Sequence, residues 1–271
     1  MLAAMPSPAT SGLDTVAAFV LDIDGVLYTG DRPLPGAVEF VRLLQDRALP
    51  FQVLTNNSTR TPSAVAERLQ GMGMDVRTEH ILTSSLAAAL YLKRIQAQGG
   101  RVYVVGEEGL RIPVSEAGFE LAEDGPADFV VLGMDRAVTY AKLKRAALLI
   151  RAGAQFIATN PDTTFPSPEG LVPGAGALIA ALQASTGIKP VVIGKPESTC
   201  FELALEKLGV SASQAAAVGD RLDTDIEGGQ RAGMRTILVL SGVNSATDLA
   251  ASSIQPTWVF KNLLELIRAM G

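Results

Sequence analysis

Two aspartates one residue apart, Asp22 and Asp24, follow the small and apolar run Ala17-Ala-Phe-Val-Leu21 and precede Gly25. Carboxylates this close repel, and a divalent cation that prefers oxygen ligands, such as Mg²⁺, gives them a reason to sit together. The run before them suits a strand buried on both faces of a parallel sheet. A carboxylate along such a strand would carry a steep desolvation cost. At its C-terminal end, where open α/β sheets place their ligands, it would not. Alone, the string fits an acidic turn at a strand end equally well. Three further stretches have the same form: Thr55-Asn-Asn-Ser58 after Phe51-Gln-Val-Leu54, Gly194-Lys195-Pro196 after Val191-Val-Ile193, and Gly219-Asp220, with Asp225 beyond, after Ala215–Val218. Each has an ordinary explanation by itself: a turn threonine, a solvated lysine, a loop acid, an acid in a helix's first turn. On one parallel sheet, however, all four strand ends would share an edge and their side chains would converge.

An anionic nucleophile, a hydroxyl, a cation and spare carboxylates for a metal are what phosphoryl transfer through an aspartyl phosphate requires. A phosphomonoester dianion repels an attacking carboxylate, so its charge must first be neutralised. Mg²⁺ on the carboxylates, Lys195, and the hydroxyl and amide donors around Thr55 would do this. Asp22 would attack phosphorus. Asp24 would protonate the leaving alkoxide and then take a proton from water. Gly25 would let the phosphate approach the backbone.

The elements that must position these residues are legible in outline. Helix patterns over Gly36–Arg47, Thr61–Met72 and from Ser84 or Ser85 to Gln98 alternate with the first strands and with Ile81–Thr83, which predicts a parallel sheet with right-handed crossovers. Gly99-Gly100 marks a hinge. Beyond it come strands Arg101–Val105, Asp128–Leu132 and Gln155–Ala158, helices over Glu107–Ala117, Thr139–Ala152 and Ala177–Ala184, and a long Pro- and Gly-rich loop, Asn160–Gly176, of a kind that tends to be functional. From Lys189 the first pattern resumes, with helices over Ser198–Leu208 and Asp223–Ala232, strand Thr236–Leu240 and a last strand and helix over Trp258–Met270. The expected architecture is α/β, with a Rossmann-like parallel-sheet core from residues 1–99 and 189–271 and a smaller α/β domain inserted at 100–188.

Composition narrows the partners. The 271 residues carry a net charge of −5, which disfavours a nucleic-acid surface but leaves a phosphorylated small molecule open. Single residues Cys200 and His80 exclude an internal disulfide and disfavour histidine-based catalysis. The absence of a basic, apolar leader in the first dozen residues and of an 18-residue apolar span leads to the expectation of a cytoplasmic protein without a membrane anchor.

With these motifs the chain resembles the haloacid dehalogenase (HAD) superfamily of phosphatases. The four motifs are Asp22-Ile-Asp24-Gly25-Val26, Leu54-Thr55-Asn56-Asn57-Ser58, Gly194-Lys195-Pro196 and Gly219-Asp220-Arg-Leu-Asp-Thr-Asp225. Gly133-Met-Asp135-Arg136 and Ala158-Thr-Asn160-Pro-Asp162 bring it nearest to the NagD-like branch, subfamily IIA, which includes p-nitrophenyl, phosphoglycolate and pyridoxal phosphate phosphatases. The resemblance implies Asp22 as nucleophile and metal ligand, Asp24 as acid/base with its backbone carbonyl on Mg²⁺, and Asp220 as the third protein ligand. It also implies Thr55 and Lys195 on the phosphoryl group, Asp225 acting through water, Asn56 and Asn57 ordering the phosphate loop, and a C2-type cap that reads small phosphomonoesters. Candidate readers are Asn160, Asp162, Thr163 and Thr164, with Asp135 and Arg136 behind them. Homodimerisation through the cap is common in that branch. Two rivals use similar parts: a phosphotransferase or mutase with the same covalent intermediate, and a phosphorelay receiver, which is about half this length and uncapped.

Overall fold

The computed structural model describes residues 11–167 and 169–271. Six strands form a parallel sheet in the order Trp258–Phe260, Arg235–Val239, Ala215–Gly219, Ala18–Leu21, Phe51–Thr55, Ile81–Thr83. Ala18–Leu21 lies near the centre, where Phe19 is in register with Ala216 on one side and with Phe51 on the other. Every residue of this strand is buried, as the unbroken apolar run requires, and beside it the small Ala217 lets Gly229 come close, a Cβ on Gly229 standing 2.9 Å from that of Ala217. Helix Ala37–Asp46 buries Ala37, Phe40, Val41 and Leu44, an i, i+3, i+4, i+7 stripe. Phe40 meets Phe19 edge to face with ring centroids 5.6 Å apart. Burying each such large side chain stabilises the core by roughly 1.5–3 kcal/mol.

A second parallel sheet has the order Val191–Val192, Gln155–Ala158, Phe129–Leu132, Arg101–Val105, Glu120–Leu121. Helices Tyr140–Arg151 and Ala175–Thr186 supply Ala146, Leu149, Ile150, Ile179 and Leu182 to its core, against Val105, Val130, Leu132 and Phe156. The fold is therefore α/β, with a second, smaller sheet inserted in the sequence of the first. Two compact units are apparent, one comprising the chain to Val53, Glu67–Val76 and Ala204–Gly271, the other Leu54–Ala66 and Arg77–Leu203. No helix among the described residues is long and apolar enough to cross a membrane.

Several local expectations change. The strand ahead of Lys195 was expected in the first sheet, but Val191 and Val192 pair with Ile157 and Ala158 of the second. With only two residues to pair, that strand carries little local information about which sheet it joins. The helix after Ile81–Thr83 is capped by Thr83, whose side chain accepts from Leu86 N, rather than by Ser84 or Ser85. The expected loop 160–176 contains an antiparallel ribbon, Thr164–Ser167 with Gly170–Pro173. The ribbon includes Pro166 and Pro173, which a two-stranded ribbon accommodates because it consists only of edges, where a missing N–H is tolerated. Tyr28–Thr29 and Arg32–Pro33 form a second small ribbon in the turn-rich stretch.

Candidate active site

The first group of site residues is acidic and lies in the first unit. Asp22 extends the central strand by one bond, its N–H donating to Val218 O at 2.9 Å. The chain then turns tightly: Ile23 O accepts from the amides of Val26, Leu27 and Tyr28, and Gly25 N donates back to Tyr28 O. This turn leaves Asp24 exposed while Asp22 is half-buried. Gly25 has φ +83°, and a Cβ there would stand 2.2 Å from Asp220 Oδ2. A Cβ on Gly242, whose Cα would lie 3.0 Å from a Cβ on Gly25, would stand 1.9 Å from that same oxygen. Both glycines are needed, because their backbones close on the Asp220 carboxylate and leave no room for a side chain.

Asp220 and Asp225 are only 1% and 2% exposed, a costly place for charge unless the oxygens are hydrogen-bonded. Asp220 Oδ2 accepts from Val243 N at 2.6 Å, and Asp225 Oδ2 accepts from Arg221 N at 3.1 Å. The Asp220 carbonyl accepts from Asn244 N at 3.1 Å, while Asn244 Oδ1 accepts from Leu222 N at 2.7 Å. Asp225 sits in a π-helical turn, Leu222–Ile226, that precedes helix Glu227–Arg231. Such wide turns recur at functional sites. Here Arg221 O accepts from both Asp225 N and Ile226 N. A continuous helix had been expected over Asp223–Ala232; the wide turn carries the Asp225 carboxylate back toward the strand ends.

One carboxylate oxygen from each of Asp22, Asp220 and Asp225 lies within 4.8 Å of the others. Three anionic oxygen donors with no sulfur or imidazole fit a hard cation of the Mg²⁺ or Ca²⁺ type. The Asp24 side chain is not one of this group. Asp225, given a role through water by the resemblance, contributes an oxygen to the same cluster as the other two.

The second group is built around Asn56 and lies in the second unit. Asn56 Oδ1 accepts from Lys195 N at 2.9 Å, and Asn56 Nδ2 donates to Lys195 O and to Asp162 Oδ2, each at 3.0 Å. The Asn56 carbonyl accepts from Ser84 Oγ and Asn160 Nδ2, both at 2.8 Å. Lys195 is 4% exposed, with Nζ 3.4 Å from Leu54 O. Thr55, also 4% exposed, accepts Asn57 N on Oγ1 at 3.1 Å. Asn57 Oδ1 accepts the amide and hydroxyl of Thr59. Ser58 Oγ accepts from Met134 N, and Ser58 O from Ser85 Oγ. Ser84 and Ser85 thus hold the loop after Thr55, a role the sequence reading missed.

The other candidate readers are engaged within the same unit. Asp135 is buried and takes Lys142 Nζ at 2.7 Å on Oδ2 and Ala137 N on Oδ1. Arg136 grips Glu107 with Nε on Oε1 at 2.8 Å and its other guanidinium nitrogen on Oε2 at 2.6 Å. That grip holds the Glu107 carboxyl below its ordinary range and raises the Arg136 guanidinium. Asn160 Oδ1 accepts from Asp162 N at 3.1 Å, closing a side-chain turn. Thr163 and Thr164 are exposed. Val243 and Asn244, which fix the acidic loop, were also missed. The turn-forming Ser241-Gly242 after strand Arg235–Val239 was the available signal.

Residues 19–120 match a family model described as haloacid dehalogenase-like hydrolase, and residues 192–266 match one described as HAD-hydrolase-like. An acid sugar phosphatase of Staphylococcus aureus is 43% identical over 92% of this chain and 96% of its own. The structure resembles that of a 4-nitrophenylphosphatase from Thermotoga maritima, with a TM-score of 0.91 and 40% identity over 96% of this chain and 99% of that one. NagD from E. coli K-12 is similar too, with a TM-score of 0.86 and 37% identity over 92% and 98% of the two chains.

Proposed function

Since the chain belongs to the haloacid dehalogenase-like hydrolases, in their NagD-like branch, and is a phosphoric monoester hydrolase, we propose that it cleaves small phosphomonoesters by a Mg²⁺-dependent route through an aspartyl phosphate on Asp22. The observation that carries this reading is the meeting of the Asp22, Asp220 and Asp225 carboxylates within 4.8 Å, with Asp24 exposed on the adjoining turn. Asp22, Asp220, Asp225 and the Asp24 carbonyl would hold the ion. When bound, Mg²⁺ offsets the charge of the phosphoryl oxygens and orients them for attack.

The protein's own groups do the rest. An Asp22 oxygen bonds to phosphorus as the bond from phosphorus to the leaving oxygen breaks, and Asp24 gives its proton to that oxygen. Asp24 then takes a proton from water as the water attacks the acylphosphate phosphorus, releasing orthophosphate and restoring Asp22. Lys195 and the Thr55 hydroxyl donate to the transferring group throughout, while Asn56 and Asn57 order the loop that carries them. Gly25 keeps the turn open beside Asp220.

For substrate, the names of two relatives favour a sugar phosphate, with p-nitrophenyl phosphate as an aryl surrogate. Nucleoside monophosphates, phosphoglycolate and pyridoxal phosphate complete the class. Residues 100–188, joined by the strand Val191–Val192 that completes the second sheet, serve as the cap that selects among them, and residues 1–99 and the remainder of 189–271 as the catalytic core. The enzyme acts in the cytoplasm, in keeping with one buried thiol, Cys200, and pairs with a second copy through the cap. Turnover of a phosphomonoester panel with Mg²⁺, repeated with Asp22→Asn, tests the proposal. Loss of about four orders of magnitude in the variant is expected, as for removal of other nucleophiles. Activity retained by the variant would sink the covalent route.

A further inference from the structure

We propose that Asp162 is a positioning residue that sets the place of Lys195 through the Asn56 amide, and that it does not read the leaving group. The inference rests on the phosphatase reading above. Asn56 meets the Lys195 peptide with both ends of its amide, Oδ1 on the N–H and Nδ2 on the carbonyl. An amide turned by 180° would set donor against donor and acceptor against acceptor, and both bonds would be lost. Nothing in the shape of the amide prevents that turn, because its oxygen and nitrogen are nearly the same size. A carboxylate prevents it electrostatically. Ionised Asp162 only accepts, so its Oδ2, at 3.0 Å, stabilises the Nδ2-facing orientation and repels the other.

Asp162 is itself held at its main chain. Its N–H donates to Asn160 Oδ1 at 3.1 Å and its carbonyl accepts from Gly176 N at 2.8 Å, while the next carbonyl, Thr163 O, accepts from Gly174 N at 2.8 Å. Asn160 in turn donates to the Asn56 carbonyl at 2.8 Å. The Asn160-Pro-Asp162 turn therefore grips Asn56 at main chain and side chain together. Asn56 transmits that placement to the peptide of the lysine that must meet a phosphoryl oxygen. Small displacements of such a group are costly in rate.

Orthophosphate separates positioning from reading, since it binds the phosphoryl subsite and has no leaving group. The full-length enzyme with saturating Mg²⁺ is assayed on a sugar phosphate and on p-nitrophenyl phosphate, with orthophosphate as competitive inhibitor and Tm as the check on folding. Asp162→Ala should lower kcat/KM about tenfold for both substrates and weaken orthophosphate inhibition by a similar factor. Asp162→Asn preserves shape but offers Asn56 either a donor or an acceptor. It should fold like the parent and show the same uniform pattern at about threefold. A change in the ratio between the two substrates with orthophosphate inhibition unmoved would overturn the proposal in favour of leaving-group contact. So would variants indistinguishable from the parent in all three measurements. Failure of the phosphatase reading would show separately, as a parent enzyme that turns over neither ester.

Discussion

The acidic group and the Asn56 group solve opposite problems. Around Asp220 the protein gathers like charges, burying two carboxylates beside a third. It holds them with backbone amides and with two glycines that allow the main chain to close in. Around Asn56 the contacts are complementary: amide to peptide, hydroxyl to carbonyl, carboxylate to amide. A hard cation would stabilise the first arrangement further by neutralising it, whereas the second arrangement needs none. On the proposed reading, ion binding and rigidity fall to different residues, and the two should respond differently to metal and to substitution.

The largest effect should come from the acidic side. Asp220→Asn keeps an oxygen for Val243 N but removes a charge from the donor set, and kcat should fall by about 10²–10³. Thermal scans distinguish this from simple loss of structure. Mg²⁺ at 100 times its Kd should stabilise the parent by about 2.7 kcal/mol. The variant's Tm should stay almost unmoved by the ion. An undiminished Mg²⁺ response in Asp220→Asn would break the division between the two groups.

Asn56→Ala is the counterpart. It leaves the Lys195 N–H and carbonyl and the Asp162 carboxylate without their amide partner, so kcat/KM should drop by about 10–100-fold. Its Mg²⁺-induced rise in Tm should nevertheless match the parent's, because no carboxylate of the cation group is touched. Equal loss of the metal response in both variants would show that the groups are one coupled unit.

The smallest effect concerns a pair that belongs to neither group. Glu107 has its folded-state pKa lowered from 4.5, first by the side-chain hydrogen bond from Arg136. A lowered folded pKa adds stability that is present above the unfolded value and is lost as pH falls through the folded one. Arg136 is 66% exposed on its side chain, so screening limits the contribution to about 0.2–1 kcal/mol. Glu107→Gln should therefore cost that little at neutral pH and almost nothing once the pH is well below 4.5. Urea midpoints across that range measure it. Activity should change far less than in either variant above.

Most elements were readable because their signals are local. The apolar run before Asp22, the helix stripes and the Gly or Pro stops each depend on a dozen neighbouring residues. Thr83 was passed over as a cap because it also ends a strand, so two adjacent serines competed for the role. The ribbon at Thr164–Pro173 was hidden by its prolines. The π-helical turn at Leu222–Ile226 has the composition of an ordinary helix start, and only the bonds to Arg221 O reveal its width.

By itself, the chain's order of residues determined which side chains would stand at strand ends, and that Asp22, Asp24, Thr55, Lys195, Asp220 and Asp225 are of the types that phosphoryl transfer requires. Residue type and spacing suffice for that, since chemical role follows from the side chain and strand ends from hydrophobic pattern. Tertiary structure alone decided that the strand before Lys195 pairs with Gln155–Ala158 in the second sheet. It alone brought the Asp225 carboxylate to the same group as Asp22 and Asp220, and turned Asp162 toward Asn56. Each of these joins residues far apart in the chain. Such pairings depend on the orientation of buried donors and acceptors, and that orientation exists only once the whole backbone is in place.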